Sequence, residues 1–161
     1  MTNTESLPDR EAAKIILYAD SELSLAEPKF ICVYGASKNP RLNLPGGAID
    51  EFETPEVAAE RELFEELNLT MHDVSRLEPV GQTTGVTTPG GVPMRTLWHL
   101  YKSRLLIPSS ELAISNEISR VDVLTEKTIL EHGNASKLAQ QAIVHVARME
   151  RQARSANLFQ N

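Results

Sequence analysis

With 161 residues, the chain can bury one hydrophobic core but is too short for two ordinary domains. Its 41% hydrophobic and 24% charged residues suit a soluble globular fold; no apolar run is long enough to span a bilayer, the opening MTNTESLPDRE has no signal-peptide character, and a cytoplasmic location is expected. A net charge of −6 without a Lys/Arg cluster argues against nucleic-acid backbones and anionic membranes as partners, and a single cysteine, Cys32, excludes an internal disulfide.

Residues 1–10 and 157–161 are expected to be flexible ends around a single domain over 11–156. Residues 12–18 and 29–34, rich in Ile, Val and Tyr and separated by a polar segment ending in Pro28, predict two neighbouring strands, the second burying the Cys32 thiol. A polar loop over 36–41 and a short strand over 42–44 lead into Pro45-Gly46-Gly47, a turn whose backbone can approach a ligand closely. A helix is predicted to begin at about Pro55: Thr54 is a good N-cap, Pro55 suits the first helical position, and Glu56 favours the positive end of the dipole. Asn68 tolerates the left-handed conformation of a C-terminal cap. Residues 77–86 and 94–106 read as strands of a long hairpin around Thr87-Thr88-Pro89-Gly90-Gly91. In the second of these, Thr96, Trp98 and Leu100 alternate with Leu97, His99 and Tyr101, so both faces are expected to be covered. A short strand over 118–124, a helical turn over 125–130 and a final helix over 135–155 complete the chain, the last with a stripe of Leu138, Ala142, Val146, Met149 and Ala153. The implied class is α/β: a mixed sheet with one helix on each face.

The stretch over 44–69, LPGGAIDEFETPEVAAERELFEELNL, organises the rest. Seven of its 26 residues are Glu and one is Asp, and Glu62, Glu65 and Glu66 recur at helical spacing. At about 100° per residue these three share one face, where like charges repel. Val57, Leu63, Phe64 and Leu67 are expected on the opposite, buried side. Such crowding costs stability unless a cation sits there, and hard divalent cations such as Mg²⁺ or Mn²⁺ are held by carboxylate and carbonyl oxygens next to substrate phosphates. A solvated helix with an Arg61–Glu65 ion pair is the plain alternative, but it does not require the spacing that follows.

The segment resembles the Nudix box, G-x5-E-x7-R-E-U-x-E-E-x-G-U with U a bulky aliphatic residue: Gly47, Glu53, Arg61, Glu62, Leu63, Glu65, Glu66 and Leu69 fall in register. Asn68 stands where the family has Gly, and Phe52 replaces a Gly that often precedes the first Glu. The resemblance implies a Nudix-type α/β/α sandwich with a mixed central sheet, and a Mg²⁺-dependent hydrolase, with Mn²⁺ as a substitute, acting on a nucleoside diphosphate derivative. It implies that Glu62, Glu65, Glu66 and the Gly46 carbonyl ligate metal and that Arg61 holds Glu53 in place. It also implies an acid from a later loop as general base or ligand, for which Glu117 is the candidate and Glu111 the reserve.

Substrate choice lies outside the box. Gly47, Thr87 and Thr88 are candidate substrate contacts, although a plain hairpin turn explains the two threonines equally well. Thr84 and Gly85 stand where ADP-ribose hydrolases of the family often carry Pro, and Val86 stands where dinucleoside polyphosphate hydrolases tend to place Tyr. A nucleoside triphosphate pyrophosphohydrolase is therefore slightly favoured, with an ADP-ribose or nucleotide-sugar pyrophosphatase and a non-catalytic nucleotide-binding regulator as alternatives. Monomer and homodimer both remain open. His72, His99, His132 and His145 have no zinc-site spacing, and neither a nucleophile elbow nor a P-loop occurs.

Overall fold

The computed structural model describes residues 8–19 and 27–158. β1 (Arg10–Tyr18) is the axis of the fold. It pairs in parallel with β6 (Met94–Arg104) over nine residues, from Arg10 opposite Thr96 to Tyr18 opposite Arg104. On the other side it meets β2 (Lys29–Gly35) and β4 (Gly46–Ala48), both antiparallel. β3 (Leu42–Asn43) and β7 (Ile118–Thr125) pair with β2, and β5 (Glu78–Thr87) forms the expected hairpin with β6. Among the described residues these seven strands make one mixed sheet.

Side chains alternate along β1, and the alternation sorts the core into two layers. Ala13, Ile15 and Leu17 point to α1 (Pro55–Leu67) and pack with Ala58, Ala59, Leu63 and Leu67. Ala12 and Ile16 point to the other face, where Ala139, Ala142, Ile143 and Val146 of α3 (Lys137–Leu158) cover them. Burying each Leu or Ile stabilises the fold by about 1.5–3 kcal/mol, so a sheet with a helix on each face is what this pattern selects. α2 (Glu126–Glu131), capped by Thr125, closes one end against α3. Cys32 is fully buried, which pushes its thiol up to about 12.

The fold differs from expectation in particular places. Gly46-Gly47 is not a free turn: with Ala48 it forms β4, because Ala13 and Lys14 of β1 pair with the two glycines. On α1, Val57 and Phe64 are exposed while Glu62 and Glu66 are buried beside Leu63, so the acidic face is the one turned toward the sheet. α3 starts later and ends later than expected, its buried stripe is Ala139, Ala142, Ile143 and Val146, and Met149 and Ala153 of the expected stripe are exposed. Arg10, assigned to a flexible end, already belongs to β1, and Asp9 N donates to Arg95 O at 2.9 Å. The rest of the two expected flexible ends lies largely outside the described residues, at 1–7 and 159–161, as does most of the polar link between β1 and β2, at 20–26.

Candidate active site

The helix that carries the acids is fixed at both ends. Thr54 Oγ1 accepts from Val57 N at 3.2 Å and Pro55 occupies the first turn. At the other end Asn68 takes the left-handed conformation (φ 55°, ψ 30°) and its N–H returns to Phe64 O at 2.9 Å. Asn68 Nδ2 also donates to Ala113 O at 2.8 Å, and Ser115 N donates to Glu66 O at 3.1 Å. These bonds tie the loop before β7 to the end of α1, and that loop carries Glu117.

Arg61 is the clamp of the site. Its Nε and Nη2 donate to the two carboxylate oxygens of Glu53 at 2.8 and 2.9 Å, a bidentate fork. Nη1 donates to Glu62 at 3.1 Å and to Glu65 at 3.0 Å, and Nη2 reaches Ala48 O at 2.9 Å. The Arg61 bonds hold Glu53 well below the usual carboxylate range, at about 2.

Both glycines of β4 are required by what lies against them. Gly46 has φ +136°, and a Cβ there would collide with the backbone of Ala13; a Cβ on Gly47 would collide with the Glu62 carboxylate. At Gly46 two strands of the sheet press together, and at Gly47 the sheet lies directly against the Glu62 carboxylate of α1. Gly46 N donates to Glu66 Oε1 at 2.6 Å. Lys14, on β1 and only 5% exposed, donates from Nζ to Leu44 O at 3.1 Å and Gly46 O at 3.3 Å. Burial lowers its pKa, opposed by the charges of Glu66 and Glu62.

Burial raises Glu62, and it raises Glu66 further, to about 7, against the opposing Gly46 N–H bond and Lys14. Among the described residues, carboxylate oxygens of Glu62, Glu65 and Glu117 lie within 4.8 Å of one another. Three hard oxygen donors this close, two of them on consecutive turns of a helix, fit the demands of Mg²⁺ or Mn²⁺. Glu66 is one step removed, engaged by Gly46 N.

Beside this cluster opens a cleft of about 660 Å³. It is lined by Gly46, Gly47 and Ala48 of β4, by the hairpin residues 84–88, and by Arg41, Asn43 and residues 136–138. Arg10, Lys14 and Trp98 also line it, with the Arg10 guanidinium 5.9 Å and the Lys14 ammonium 5.4 Å from the Trp98 ring centre. An acid cluster suited to a divalent cation therefore adjoins a cationic cleft of nucleotide size.

The NUDIX domain model matches residues 8–142. The chain belongs to the Nudix family. No curated protein matches the sequence. Among solved structures the chain is similar to a C. elegans Ap4A hydrolase binary complex (TM-score 0.72, 16% identity, covering 89% of this chain and 98% of that one). It is similar to the Nudix domain of Shewanella oneidensis NrtR complexed with ADP ribose (0.68, 16%, 92% and 93%). It is also similar to the E. coli dihydroneopterin triphosphate pyrophosphohydrolase (0.67, 15%, 86% and 95%). These likenesses show the fold, a Nudix α/β/α sandwich.

Within this Nudix enzyme the structure gathers Gly46, Gly47, Glu53, Arg61, Glu62, Glu65, Glu66 and Glu117 at one place, while Glu111 is not among the converging acids. Thr87 and Thr88 both line the cleft; Thr87 Oγ1 is also 2.8 Å from Thr96 Oγ1. Sequence reasoning missed Lys14, Arg10, Arg41, Trp98 and Lys137. Only Lys14 left a signal, as a lone charge inside the apolar run AAKIILY. His145 Nε2 donates to Val80 O at 2.7 Å, a structural bond on α3.

Proposed function

We propose that this Nudix enzyme hydrolyses the diphosphate linkage of a nucleoside diphosphate derivative, with Mg²⁺, or Mn²⁺ in its place, held by Glu62, Glu65 and Glu117 and supported by Glu66 and the Gly46 carbonyl. The convergence of three carboxylates within 4.8 Å beside a cationic cleft supports this reading best. A divalent cation held there would neutralise the diphosphate and lower the pKa of a bound water. The chain's own groups do the rest. Arg61 fixes Glu53, Glu62 and Glu65 in one arrangement, so little reorganisation is needed when substrate arrives. Glu117, which reaches the cluster from a loop rather than from α1, is the extra acid of the site, serving either as a further metal ligand or as the base for the attacking water. Gly47 lets β4 lie against the Glu62 carboxylate at the edge of the cleft, and Thr87 and Thr88 line the cleft from the hairpin, where they would meet the nucleoside.

Nucleoside triphosphates are the first choice of substrate and ADP-ribose or another nucleotide sugar the second; the cationic lining favours the more highly charged class. The test is a panel of nucleoside triphosphates, dinucleoside polyphosphates and nucleotide sugars assayed for phosphate, pyrophosphate or monophosphate release with Mg²⁺. Release from at least one class, abolished by EDTA, is the expected result. Tight nucleotide binding with no turnover of any member would favour the non-catalytic regulator instead.

A further inference from the structure

The metal cluster and the cleft leave the outer edges of the sheet unexplained, and one of these edges lacks any device against pairing. β3 and β4 span two and three residues, too short to template another strand. β7 carries Arg120 and Asp122, charges of the kind that blunt an edge. β5 ends the strand order beyond β6, runs for ten residues, and has no partner on its outer side among the described residues. It is also short of charge. With 24% of the chain charged, sixteen residues would ordinarily include about four charges, yet residues 79–94 include none. Nor does the fold account for Gly85: it has no left-handed φ, and a Cβ there would meet nothing within 4 Å. A glycine inside a strand weakens it and marks places where another backbone comes close. Val86 and Val92, 68% and 61% exposed, add apolar side chains to the same uncharged end of the hairpin.

We infer that this edge pairs with the same edge of a second copy of the chain, forming an antiparallel β5–β5 ladder across a twofold axis. The paired run is set by its two ends. At its start the bulge between Pro79 and Gly81 breaks the register, and His145 Nε2 already holds the Val80 carbonyl at 2.7 Å. At its end Thr87 gives way to the turn over Pro89–Gly91. Residues 82–87 remain, and laid antiparallel on themselves they set Gln82 against Thr87, Thr83 against Val86 and Thr84 against Gly85 of the copy. Every one of these pairs is neutral, which matters between two molecules that each carry a net charge of −6. An unpaired strand edge recognises extended main chain, and a twofold pairing satisfies both edges at once. A six-residue ladder buries far less than the roughly 1,200 Å² of a standard interface, so the dimer is weak and concentration-dependent. The inference does not depend on hydrolysis, although residues 84–87 of the same strand line the cleft.

Sedimentation velocity of the full chain from about 5 to about 500 μM tests this, a range that brackets a weak association. The wild type should shift from monomer toward dimer as concentration rises. T84K/V86K places two like charges on each strand of the ladder, so self-association should weaken at least about tenfold. F64K, on the exposed apolar side of α1, should leave it unchanged. Hydrogen exchange at both ends of the concentration range gives a second reading on the wild type: the amides of 82–87 should gain protection at the high end. Thr84 and Val86 are exposed, so T84K/V86K should melt with the wild type; if it melts early, exchange on the wild type decides alone. A wild type that stays monomeric throughout, a dimer that persists unchanged in T84K/V86K, a dimer lost in F64K alone, or protection that rises elsewhere and not at 82–87 would each overturn the inference.

Discussion

Glu66 makes the metal-free protein sensitive to pH in a direction opposite to ordinary acid denaturation. Its carboxyl rises from 4.5 to about 7 because burial disfavours the charge more than Gly46 N–H and Lys14 favour it. The folded state therefore binds more protons than the unfolded chain between these values. The stabilising contribution is fully present below about 4.5 and is lost as pH rises through about 7. With 1.36 kcal/mol per unit, the loss between pH 5 and pH 8 is about 2–3 kcal/mol, or roughly 5–10 °C in Tm for a chain of this size. Glu66→Gln keeps the shape and the acceptor for Gly46 N while removing the titrating proton. In EDTA the variant should melt close to wild type at pH 5 and roughly 5–10 °C above it at pH 8. Mg²⁺ should then raise the wild-type Tm more at pH 8 than at pH 5, since ligands must be deprotonated to bind. Scanning fluorimetry or calorimetry across this range reads both effects. Parallel Tm curves for the two metal-free proteins would refute the assignment of this titration to Glu66.

Further outcomes follow from single contacts. Gly47→Ala drives a methyl into the Glu62 carboxylate, so it should lower Tm and weaken the Mg²⁺-dependent gain in Tm at least about tenfold in metal affinity, read by titrating metal during the melt. Phe52 is 97% exposed at φ 68°, a left-handed position that costs a side chain about 1–2 kcal/mol; Phe52→Gly should therefore stabilise the protein by about 1 kcal/mol in a denaturant titration, and any loss of stability would show that the ring packs on something. Thr87→Ala with Thr88→Ala should reorder preference among nucleotides while metal affinity stays in place; an unchanged ranking would return the two threonines to a turn role.

The box was legible because its information is local. Thr54, Pro55 and Asn68 act within one helix, and Gly47, Glu53 and Arg61 meet Glu62 within a span of sixteen residues, so spacing alone could align them. The orientation of the helix was not local. Val57 and Phe64 look like core by composition, yet Glu62 and Glu66 take the buried side because Gly47 leaves room for the Glu62 carboxylate and Gly46 supplies an N–H to Glu66. The cleft was least legible of all. Arg41 meets the start of α3 only through the Leu42–Ala135 bridge, and Arg10 reaches Trp98 only because β1 and β6 run parallel in one particular register. Neither pairing leaves a trace in neighbouring residues. Glu117 lies between: proposed as a loop acid, it is brought to Glu62 and Glu65 by the Asn68 and Ser115 bonds, which no spacing rule contains.

The same geometry explains why the acidic face holds its shape before any metal arrives. Glu53, Glu62, Glu65, Glu66 and Glu117 surround two cations, Arg61 on the outer side and Lys14 on the inner one. Arg61 binds three of the carboxylates directly, so its charge is spent on the outer acids. Lys14 binds none of them; it holds the carbonyls of Leu44 and Gly46 and acts on Glu62 and Glu66 only through space. The inner side is therefore the less neutralised one, and it is there that burial raises the Glu66 carboxyl. A divalent cation at Glu62, Glu65 and Glu117 reverses that balance, because adding positive charge nearby favours the ionised carboxylate. Metal binding and deprotonation of Glu66 are thus coupled, and because burial also raises Glu62, both buried carboxyls contribute to the pH dependence of metal binding.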